Sequence, residues 1–508
     1  MFRRILSVGG WTLGSRVTGL ARDVVMAAAM GAGPVADAFV VAFRLPNHFR
    51  AIFGEGAFNA AFVPGYGRIA TVDGEAPARL FAGRILTLIL LTQVVLLVAA
   101  EWAMPAFVRL LAPGLAERPD VFALAVTLTR ITFPYLLSIT LVTLASAILN
   151  AHDRFWEAAA APILLNLSMI AALLCAALFP SAGHAAAWGV SVSGVLQLLL
   201  VWVSARRAGI APPLARPRRD PEVGGFFRRL GPAVVGAAGI QLAMFADTII
   251  ASGLPTGALS SLYYAERLYQ LPLGVVGIAA GTVLLPAMTR LLAAGDAAAA
   301  SAAQNRAVGF TLALAAPCAV AFVAIPDLIL AALFQRGAFD AAASERAGQV
   351  LSAYALGLPA AVIIRSSTAS FFARGDTATP LWASLSGYGV NIALKLVLMG
   401  PLGVAGLALA TSAGAWCNVG IVWALAMRRG FAAPSAALRR TLAAVAVGCA
   451  ALAAALSYGR PLATAVTTPL GPAAGLASLA ILAGCGAALY GALTFGLLRL
   501  ICARLTRA

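Results

Sequence analysis

Long apolar runs constrain the fold of this sequence more than any other feature. Runs of roughly 20 residues with almost no charge recur along the chain, and that length crosses the hydrocarbon core of a bilayer as an α-helix. Only 11% of the 508 residues are charged, which is less than half the share of an ordinary soluble domain. The sequence therefore predicts an all-α polytopic membrane protein. About fourteen transmembrane helices are predicted, at residues 7–30, 35–67, 81–102, 122–150, 157–179, 184–205, 226–252, 258–291, 306–325, 345–373, 380–399, 402–427, 438–457 and 471–499.

Basic residues mark one side of this membrane protein. Lys395 is the single lysine among 36 basic residues, and the arginines cluster in alternate connectors, above all in the linker 206–229 and at the C-terminus. Cytoplasmic loops carry such an excess, so an even helix count with both termini in the cytoplasm is predicted. The same pattern explains the net charge of +17 without a nucleic-acid partner. The first apolar run, interrupted by Arg16 and Arg22, is predicted to be an uncleaved helix.

The chain also repeats itself. Ala42-Phe-Arg44 precedes Pro64 and Arg68 much as Ala265-Glu-Arg267 precedes Pro286 and Arg290, and later matches follow in the same order. We predict two pseudo-symmetric six-helix bundles related by an axis along the membrane normal. The predicted domains are an N-terminal bundle at 1–210, a basic cytoplasmic linker at 211–225, a C-terminal bundle at 226–430 and two extra helices at 431–508.

Charged side chains inside the apolar helices are the candidate functional residues. An arginine at a helix centre costs about 2.5–3.5 kcal/mol on insertion scales, so it must face water, carboxylates or a bound anion. One interpretation is that these charges pair with one another. The other is a hydrated cationic cavity that binds phosphate through guanidinium forks. It is favoured because closed pairs rarely need so many charges and because Arg16, Arg50 and Arg267 lie too far from a helix end to reach the membrane surface. The residues concerned are Arg16, Arg22, Asp23, Asp37, Arg44, Arg50, Glu55, Asp247, Glu266 and Arg267.

Several long motifs resemble a known family. The sequence is similar to the lipid II flippases of the MurJ/MviN family over essentially its whole length. The motifs that carry the resemblance are Gly14-Ser-Arg-Val-Thr-Gly-Leu-Ala-Arg-Asp23, Ala36-Asp-Ala-Phe39, Arg44-Leu-Pro-Asn47, Phe53-Gly-Glu-Gly-Ala-Phe58, Phe62-Val-Pro64, Tyr263-Tyr-Ala-Glu-Arg267, Leu284-Leu-Pro286 and Phe371-Phe-Ala-Arg-Gly-Asp-Thr377.

The resemblance implies a function and a set of site residues. It implies the fourteen-helix fold of the multidrug, oligosaccharidyl-lipid and polysaccharide exporter superfamily. It implies that lipid II, the undecaprenyl-diphosphate-linked peptidoglycan precursor, moves from the cytoplasmic to the periplasmic leaflet by alternating access. The family's cavity arginines match Arg16, Arg22, Arg50 and Arg267, and gating or partner acids match Asp23, Asp37, Glu55 and Glu266. The two C-terminal helices would form a groove for the lipid tail.

One position departs from the family. Some members bind sodium between an acid on helix 7 and an Asn/Asp pair on helix 11, and here Asp247 and Asn391 match while Lys395 occupies the second acid's place. We predict that the Lys395 ammonium pairs with Asp247 in place of sodium, and a lysine reaching toward the membrane surface is the alternative. No other metal site is predicted.

Other function classes are less consistent with the sequence. A drug or ion exporter of the same superfamily would rely on acids and aromatics rather than arginine. A membrane enzyme would need catalytic acids or a metal motif in a sizeable loop, whereas the predicted outer loops are short and hold no such cluster. We expect no cofactor, and the membrane potential or a cation gradient as the energy source. The expected location is the bacterial inner membrane, and the expected partners are lipid II, bilayer phospholipids and other cell-wall synthesis proteins.

Overall fold

The computed structural model consists of helices and short connectors. It describes residues 2–50, 57–218, 220–274 and 278–505, with side chains placed at 9–48, 58–218, 220–234, 245–274 and 284–499. No strand occurs in these ranges. The helices are α1 (Phe2–Met30), α2 (Pro34–Arg50), α3 (Ala57–Val72), α4 (Glu75–Leu111), α5 (Pro119–Thr132), α6 (Tyr135–Ala151), α7 (Trp156–Leu174), α8 (Ala182–Arg207), α9 (Pro221–Ser252), α10 (Ala258–Pro272), α11 (Ile278–Ala293), α12 (Ala297–Ala324), α13 (Pro326–Phe334), α14 (Ala341–Ala355), α15 (Leu358–Phe372), α16 (Ala378–Arg428), α17 (Ala436–Thr467) and α18 (Ala474–Leu505).

Eight helical segments of the described chain are long and apolar enough to cross a membrane. Two of these segments are too long for one crossing, namely α16 and the continuous segment Ala436–Arg499, which has 64 residues and contains α17 and most of α18. The 51 residues of α16 would extend about 76 Å at 1.5 Å per residue, more than twice the hydrocarbon thickness. Gly403 interrupts the helical conformation with a φ of 53°, and Gly471 does the same between α17 and α18. The all-α polytopic fold is confirmed, and the count of fourteen stays a prediction.

The structure subdivides several predicted helices. The predicted helix 122–150 is broken at Phe133 and Pro134, where proline has no N–H to donate to the preceding turn. Helix 345–373 is broken at Leu356 and Gly357, and Pro359 is the second residue of the helix that follows. The nine-residue α13 was not predicted at all, because a helix of about 14 Å is too short to give a transmembrane signal.

Contacts divide the chain into two compact units. The first unit runs to Ser260 and includes Arg336–Phe339, and the second contains the remaining residues from Ser261 onward. In the first unit α1 packs on α7, α7 on α8 and α3 on α9. An aromatic cluster explains the last pairing, since Phe226 of α9 packs against Phe58 and Phe62 of α3. In the second unit α17 packs on α18 and α12, and α12 packs on α15. The predicted domain limits at 210, 226 and 431 stay predictions.

Two pairs of equivalent turns support the internal repeat. After α6, Asp153 takes a φ of 62° and the Arg154 N–H donates to the Leu149 carbonyl at 2.9 Å. After α15, Gly375 takes a φ of 77° and the Asp376 N–H donates to the Phe371 carbonyl at 3.0 Å. These are the same left-handed helix termination. A second pair follows α8 and α16, where Gly209 and Gly430 have φ values of 74° and 68°.

Asp376 joins the turn after α15 to the next helix, α16. Its carboxylate accepts from the Thr379 N–H at 2.9 Å, the Thr379 hydroxyl at 2.7 Å and the Arg429 guanidinium at 2.6 Å. These hydrogen bonds, those from Thr379 first, lower the pKa of Asp376 to about 2. The carboxylate therefore stays ionised through the physiological range and joins the start of α16 to Arg429, the residue that follows the end of the same helix.

Candidate functional site

Arg22 of α1 lies at the centre of a buried polar cluster. Its Nε and Nη2 donate to Asp23 Oδ1 at 3.0 Å and 2.7 Å, and its Nη1 donates to Asn166 Oδ1 at 3.0 Å. The guanidinium carbon also lies 5.5 Å from the ring centroid of Phe43. Arg22 is 6% exposed and Asp23 2% exposed. For this arginine, therefore, the pairing interpretation describes the observed contacts, and a bound anion would have to compete with Asp23.

Asn166 is a site residue that the sequence analysis missed. Besides accepting from Arg22, its Nδ2 donates to the Ser15 carbonyl and to the Thr18 hydroxyl, each at 3.0 Å. A Cβ at Gly19 would lie 3.6 Å from this amide, so the small residue leaves the amide room against α1. The available signal was a single asparagine in the middle of α7, preceded by the apolar stretch from Ala158 to Leu165. Asn166 thus joins α1 to α7 and orients the Arg22 guanidinium.

Arg16 differs from Arg22 in its surroundings. It lies six residues earlier on α1 and is partly exposed. Among the residues that the structure describes, no hydrogen bond or ion pair to Arg16 occurs. Its guanidinium is thus the more accessible of the two to an anion. Arg50 ends α2 with its side chain outside the described residues, and Glu55 lies entirely outside them.

Asp37 caps the first turn of α10. One carboxylate oxygen accepts from the Gly257 N–H at 2.7 Å, and the other accepts from the Ser260 N–H at 2.9 Å and the Ser260 hydroxyl at 2.8 Å. Asp37 is only 1% exposed, and an acid at a helix N-terminus is favoured by the helix dipole. The predicted gating acid therefore accepts hydrogen bonds from the turn that precedes α10 and from the first turn of that helix. Its partner Ser260 was not predicted from the sequence.

The neighbouring connectors of the first unit are also held together. Arg118 donates to the Thr256 hydroxyl at 2.8 Å and to the Ser252 carbonyl at 3.2 Å. The Ala338 N–H donates to the Ala28 carbonyl at 2.8 Å. A Cβ on Gly337 would lie 2.3 Å from the Ala28 oxygen, and one on Gly31 would lie 2.3 Å from the Ala338 oxygen. Only glycines allow these backbones to approach so closely.

Gly337→Ala should therefore destabilise the protein. The φ of 55° at Gly337 costs about 1–2 kcal/mol for a residue with a Cβ, and the contact with Ala28 adds a clash. Gly375→Ala is the matched control, because Gly375 has a φ of 77° and no atom within 4 Å of an added Cβ. We expect Gly337→Ala to lower the free energy of unfolding in detergent by about 1–2 kcal/mol more than the control. Equal losses would show that the close contact is unimportant.

A separate polar cluster lies on α10 in the second unit. The Arg267 Nη1 donates to Gln270 Oε1 at 3.2 Å, and the Gln270 Nε2 donates to Glu266 Oε1 at 2.7 Å. The Arg267 guanidinium carbon lies 4.7 Å from the centroid of the Tyr263 ring, within the range of a cation–π interaction. Gln270, which the sequence analysis did not single out, thus connects the predicted cargo-binding arginine to Glu266.

Lys395 is buried in the second unit. It is 1% exposed on α16, one helical turn after Asn391, whose Oδ1 accepts from the Thr411 hydroxyl at 3.5 Å. A lysine reaching toward the surface would be more exposed, so the buried position argues against that alternative. Asp247 lies on α9 in the first unit, and its pairing with Lys395 stays a prediction.

An apolar groove of about 430 Å³ lies between α17 and α18. Its walls include Leu456, Leu462 and Val466 from α17 and Ile481 and Leu489 from α18. Glycines on both helices, Gly459 and Gly486, also line it. The groove lies where the sequence analysis predicted a site for a lipid tail.

Comparisons with known proteins identify the family. Residues 26–468 match the model of the family described as "Lipid II flippase MurJ". The "Probable lipid II flippase MurJ" of Rhizobium meliloti (strain 1021) is 39% identical over 506 residues, which are 98% of this chain and 94% of that protein. The "Lipid II flippase MurJ" of Burkholderia cenocepacia is 36% identical over 440 residues, 86% of this chain and 85% of that protein.

Solved structures show the same fold. A structure described as "Lipid II flippase MurJ, inward closed conformation" superposes with a TM-score of 0.79 at 22% identity, and covers 97% of this chain and 99% of that one. An inward-facing multidrug resistance transporter of the MATE family gives a TM-score of 0.68 at 16% identity, over 82% of this chain and 94% of that one. The chain therefore belongs to the MurJ family of lipid II flippases.

Proposed function

We propose that this chain moves lipid II across the membrane, from the cytoplasmic to the periplasmic leaflet, for peptidoglycan synthesis and cell-wall biogenesis. The main support for this proposal is the sequence identity of 36–40%, over most of this chain, to proteins named lipid II flippases. The alternative of a drug or ion exporter is not favoured, because the likeness to multidrug transporters is one of fold at 16% identity.

The proposed mechanism is alternating access with the diphosphate bound by arginine. Arg16, Arg50 and Arg267 are proposed to bind the phosphate oxygens, because guanidinium groups pair with them bidentately. Neutralising the diphosphate in this way lowers the cost of carrying its charge through the hydrocarbon core. The undecaprenyl tail is proposed to lie in the groove between α17 and α18, whose walls are apolar.

Acids are proposed to assist release of the cargo. Asp23 already accepts hydrogen bonds from two nitrogens of Arg22. We therefore propose that Arg22 binds the diphosphate only when these hydrogen bonds to Asp23 break. When Asp23 takes the guanidinium back, the anion loses a ligand. Asp37 holds the start of α10 through three hydrogen bonds, and we propose that these bonds break when the site opens to the periplasm. Glu55 and Glu266 are further proposed charge partners.

The chain is a multi-pass membrane protein of a bacterial family, and we propose the inner membrane as its location with both termini in the cytoplasm. The arginine-rich connectors support this orientation. We propose transport without a chemical step on the cargo, and without a cofactor. The membrane potential or a cation gradient is proposed to supply the energy, and other cell-wall synthesis proteins are proposed partners.

Reconstitution tests the proposed activity directly. Purified protein in liposomes, supplied with lipid II carrying a reducible fluorophore, should make the label accessible to a membrane-impermeant reductant faster than liposomes without protein. A fluorescent phosphatidylcholine of similar size is the control for general scrambling. Equal rates for both lipids would contradict lipid II as the cargo.

Transport should not require sodium. If the Lys395 ammonium takes the place of a sodium ion, replacing sodium by potassium or choline should change neither the flipping rate nor the thermal unfolding midpoint. Lys395→Asp restores an acid at this position and should create a sodium-dependent rise in that midpoint. A sodium requirement in the parent protein would refute the proposed Asp247–Lys395 pair.

A further inference from the structure

A second apolar groove lies on the first unit, formed by α4, α6 and α8. It encloses about 300 Å³ and is lined by leucines of these three helices together with Val195, Trp202 and Leu214. Its walls carry almost no polar surface. We refer to it as the α8 groove. It is distinct from the groove between α17 and α18, which belongs to the other unit.

Leu214 belongs to the basic linker. It is held beside this groove by hydrogen bonds between the backbone of the linker and side chains of α4. The Ala215 N–H donates to the Thr87 hydroxyl at 3.2 Å, and Arg79 donates to the Ala211 carbonyl at 3.2 Å. A Cβ on Gly83 would lie 2.3 Å from the Pro213 carbonyl oxygen, so the linker lies directly on α4. Leu214 is nevertheless 73% exposed. A fixed, exposed leucine in an arginine-rich connector is typical of a segment at the membrane interface.

Arginines stand at the linker end of the groove. Arg206 follows Trp202 by four residues on α8 and therefore lies on the same helical face, one turn beyond it. Arg216 follows Leu214 by two residues, so their Cα atoms are at most about 7 Å apart. Both arginines are exposed. The groove thus has an apolar wall, an aromatic ring of the type found at membrane interfaces, and cationic side chains at one end.

The acids of the linker region do not neutralise these arginines. Asp220 forms an ion pair with Arg84, and Glu222 forms one with Arg68. Asp220 also caps α9 by accepting from the Glu222 N–H at 2.8 Å. No carboxylate of the described chain lies within ion-pair distance of Arg206 or Arg216. An anion from outside the protein is the natural counter-charge for this pair.

We propose that the α8 groove binds an anionic glycerophospholipid, with an acyl chain against Leu199 and Trp202 and the phosphate between Arg206 and Arg216. Anionic lipids are attracted to basic segments near the cytoplasmic surface, which is where the charge pattern places this linker. The bound lipid secures the linker between the two halves of the chain. This inference concerns a lipid of the bilayer, and it stands or falls separately from the identity of the transported cargo.

Trp202 provides a reporter for the test. Phospholipids brominated on the acyl chain quench a tryptophan that they contact, and subtracting the quenching of Trp202→Phe isolates the contribution of the groove. Full-length protein would be reconstituted in nanodiscs of phosphatidylcholine with increasing fractions of brominated phosphatidylglycerol, or of brominated phosphatidylcholine diluted likewise. Each arginine is expected to contribute about fivefold in affinity. Half-saturation of the Trp202 signal should therefore need about 25-fold less phosphatidylglycerol than phosphatidylcholine.

Three variants separate the outcomes. Arg206→Gln with Arg216→Gln should remove the preference for the anionic lipid, whereas Arg290→Gln with Arg439→Gln, two exposed arginines outside the groove, should leave it intact. Val195→Phe fills the groove and should abolish Trp202 quenching by both lipids. Equal quenching by both lipids in the parent protein would overturn the proposal. So would a preference that survives loss of Arg206 and Arg216, or a signal displaced by lipid II but not by unlabelled phosphatidylglycerol.

Discussion

Asp23→Ala should lower the free energy of unfolding by about 3–5 kcal/mol, the cost of removing one partner of a buried ion pair. The Arg22 guanidinium donates to Asp23 from two nitrogens and is almost fully buried. Without the carboxylate the guanidinium loses both of these charge-assisted hydrogen bonds, and its hydrogen bond to the neutral amide of Asn166 remains. Denaturant unfolding in detergent micelles, followed by tryptophan fluorescence, would measure the loss.

Two further variants make this expectation specific. Asp73→Ala removes an exposed acid and should change stability by less than about 0.5 kcal/mol. Arg22→Met combined with Asp23→Leu replaces the pair by apolar side chains of similar size and should recover much of the loss, since a buried pair is often no more stable than apolar packing. An Asp23→Ala protein as stable as the parent would show that Arg22 is neutralised by another group or by solvent.

Arg267→Ala should reduce lipid II flipping at least tenfold while the protein stays folded. A charge-assisted hydrogen bond to a phosphate contributes about 1.5–3 kcal/mol, and the alanine variant loses the whole guanidinium. Arg267→Lys keeps the charge without the planar fork and should fall between the parent and Arg267→Ala. The flipping rate in liposomes and the unfolding midpoint of each variant would be measured together.

Gln270→Ala distinguishes the binding of cargo by Arg267 from the positioning of the Arg267 side chain. Gln270 accepts from Arg267 and donates to Glu266, so its loss should weaken the orientation of the arginine but leave its charge in place. We expect a smaller decrease in flipping than for Arg267→Ala. Normal flipping by a well-folded Arg267→Ala protein would refute the proposed role of this arginine.

Most of the helices were predictable because they are local apolar runs. The predicted helix 184–205 corresponds to α8, and 226–252 to α9 with an added first turn. The errors occurred at helix ends and at a short helix, which the length of an apolar run does not predict. α4 continues beyond the predicted 81–102 in both directions, to Glu75 and Leu111, because a helix does not stop where the hydrocarbon core ends. α13 was missed because it is short.

The site residues were predictable as residue types but not as contacts. An arginine or acid inside an apolar helix is costly, so Arg22, Asp37 and Arg267 could be singled out from the sequence alone. Their partners could not. Asn166 is 144 positions from Arg22, and Ser260 is 223 positions from Asp37. A single sequence carries no information on which distant polar residues meet, and a lone asparagine or serine in a membrane helix is common enough to attract no attention.

The measurement that tests the central claim most directly is the exposure of radiolabelled lipid II in the outer leaflet of cells depleted of this protein. The cells must lack a second flippase, and they would be complemented with the parent protein or with Arg267→Ala. We expect exposure to fall on depletion and to be restored by the parent protein alone. Unchanged exposure after depletion would contradict lipid II as the cargo, and full restoration by Arg267→Ala would contradict the binding of its diphosphate by this arginine.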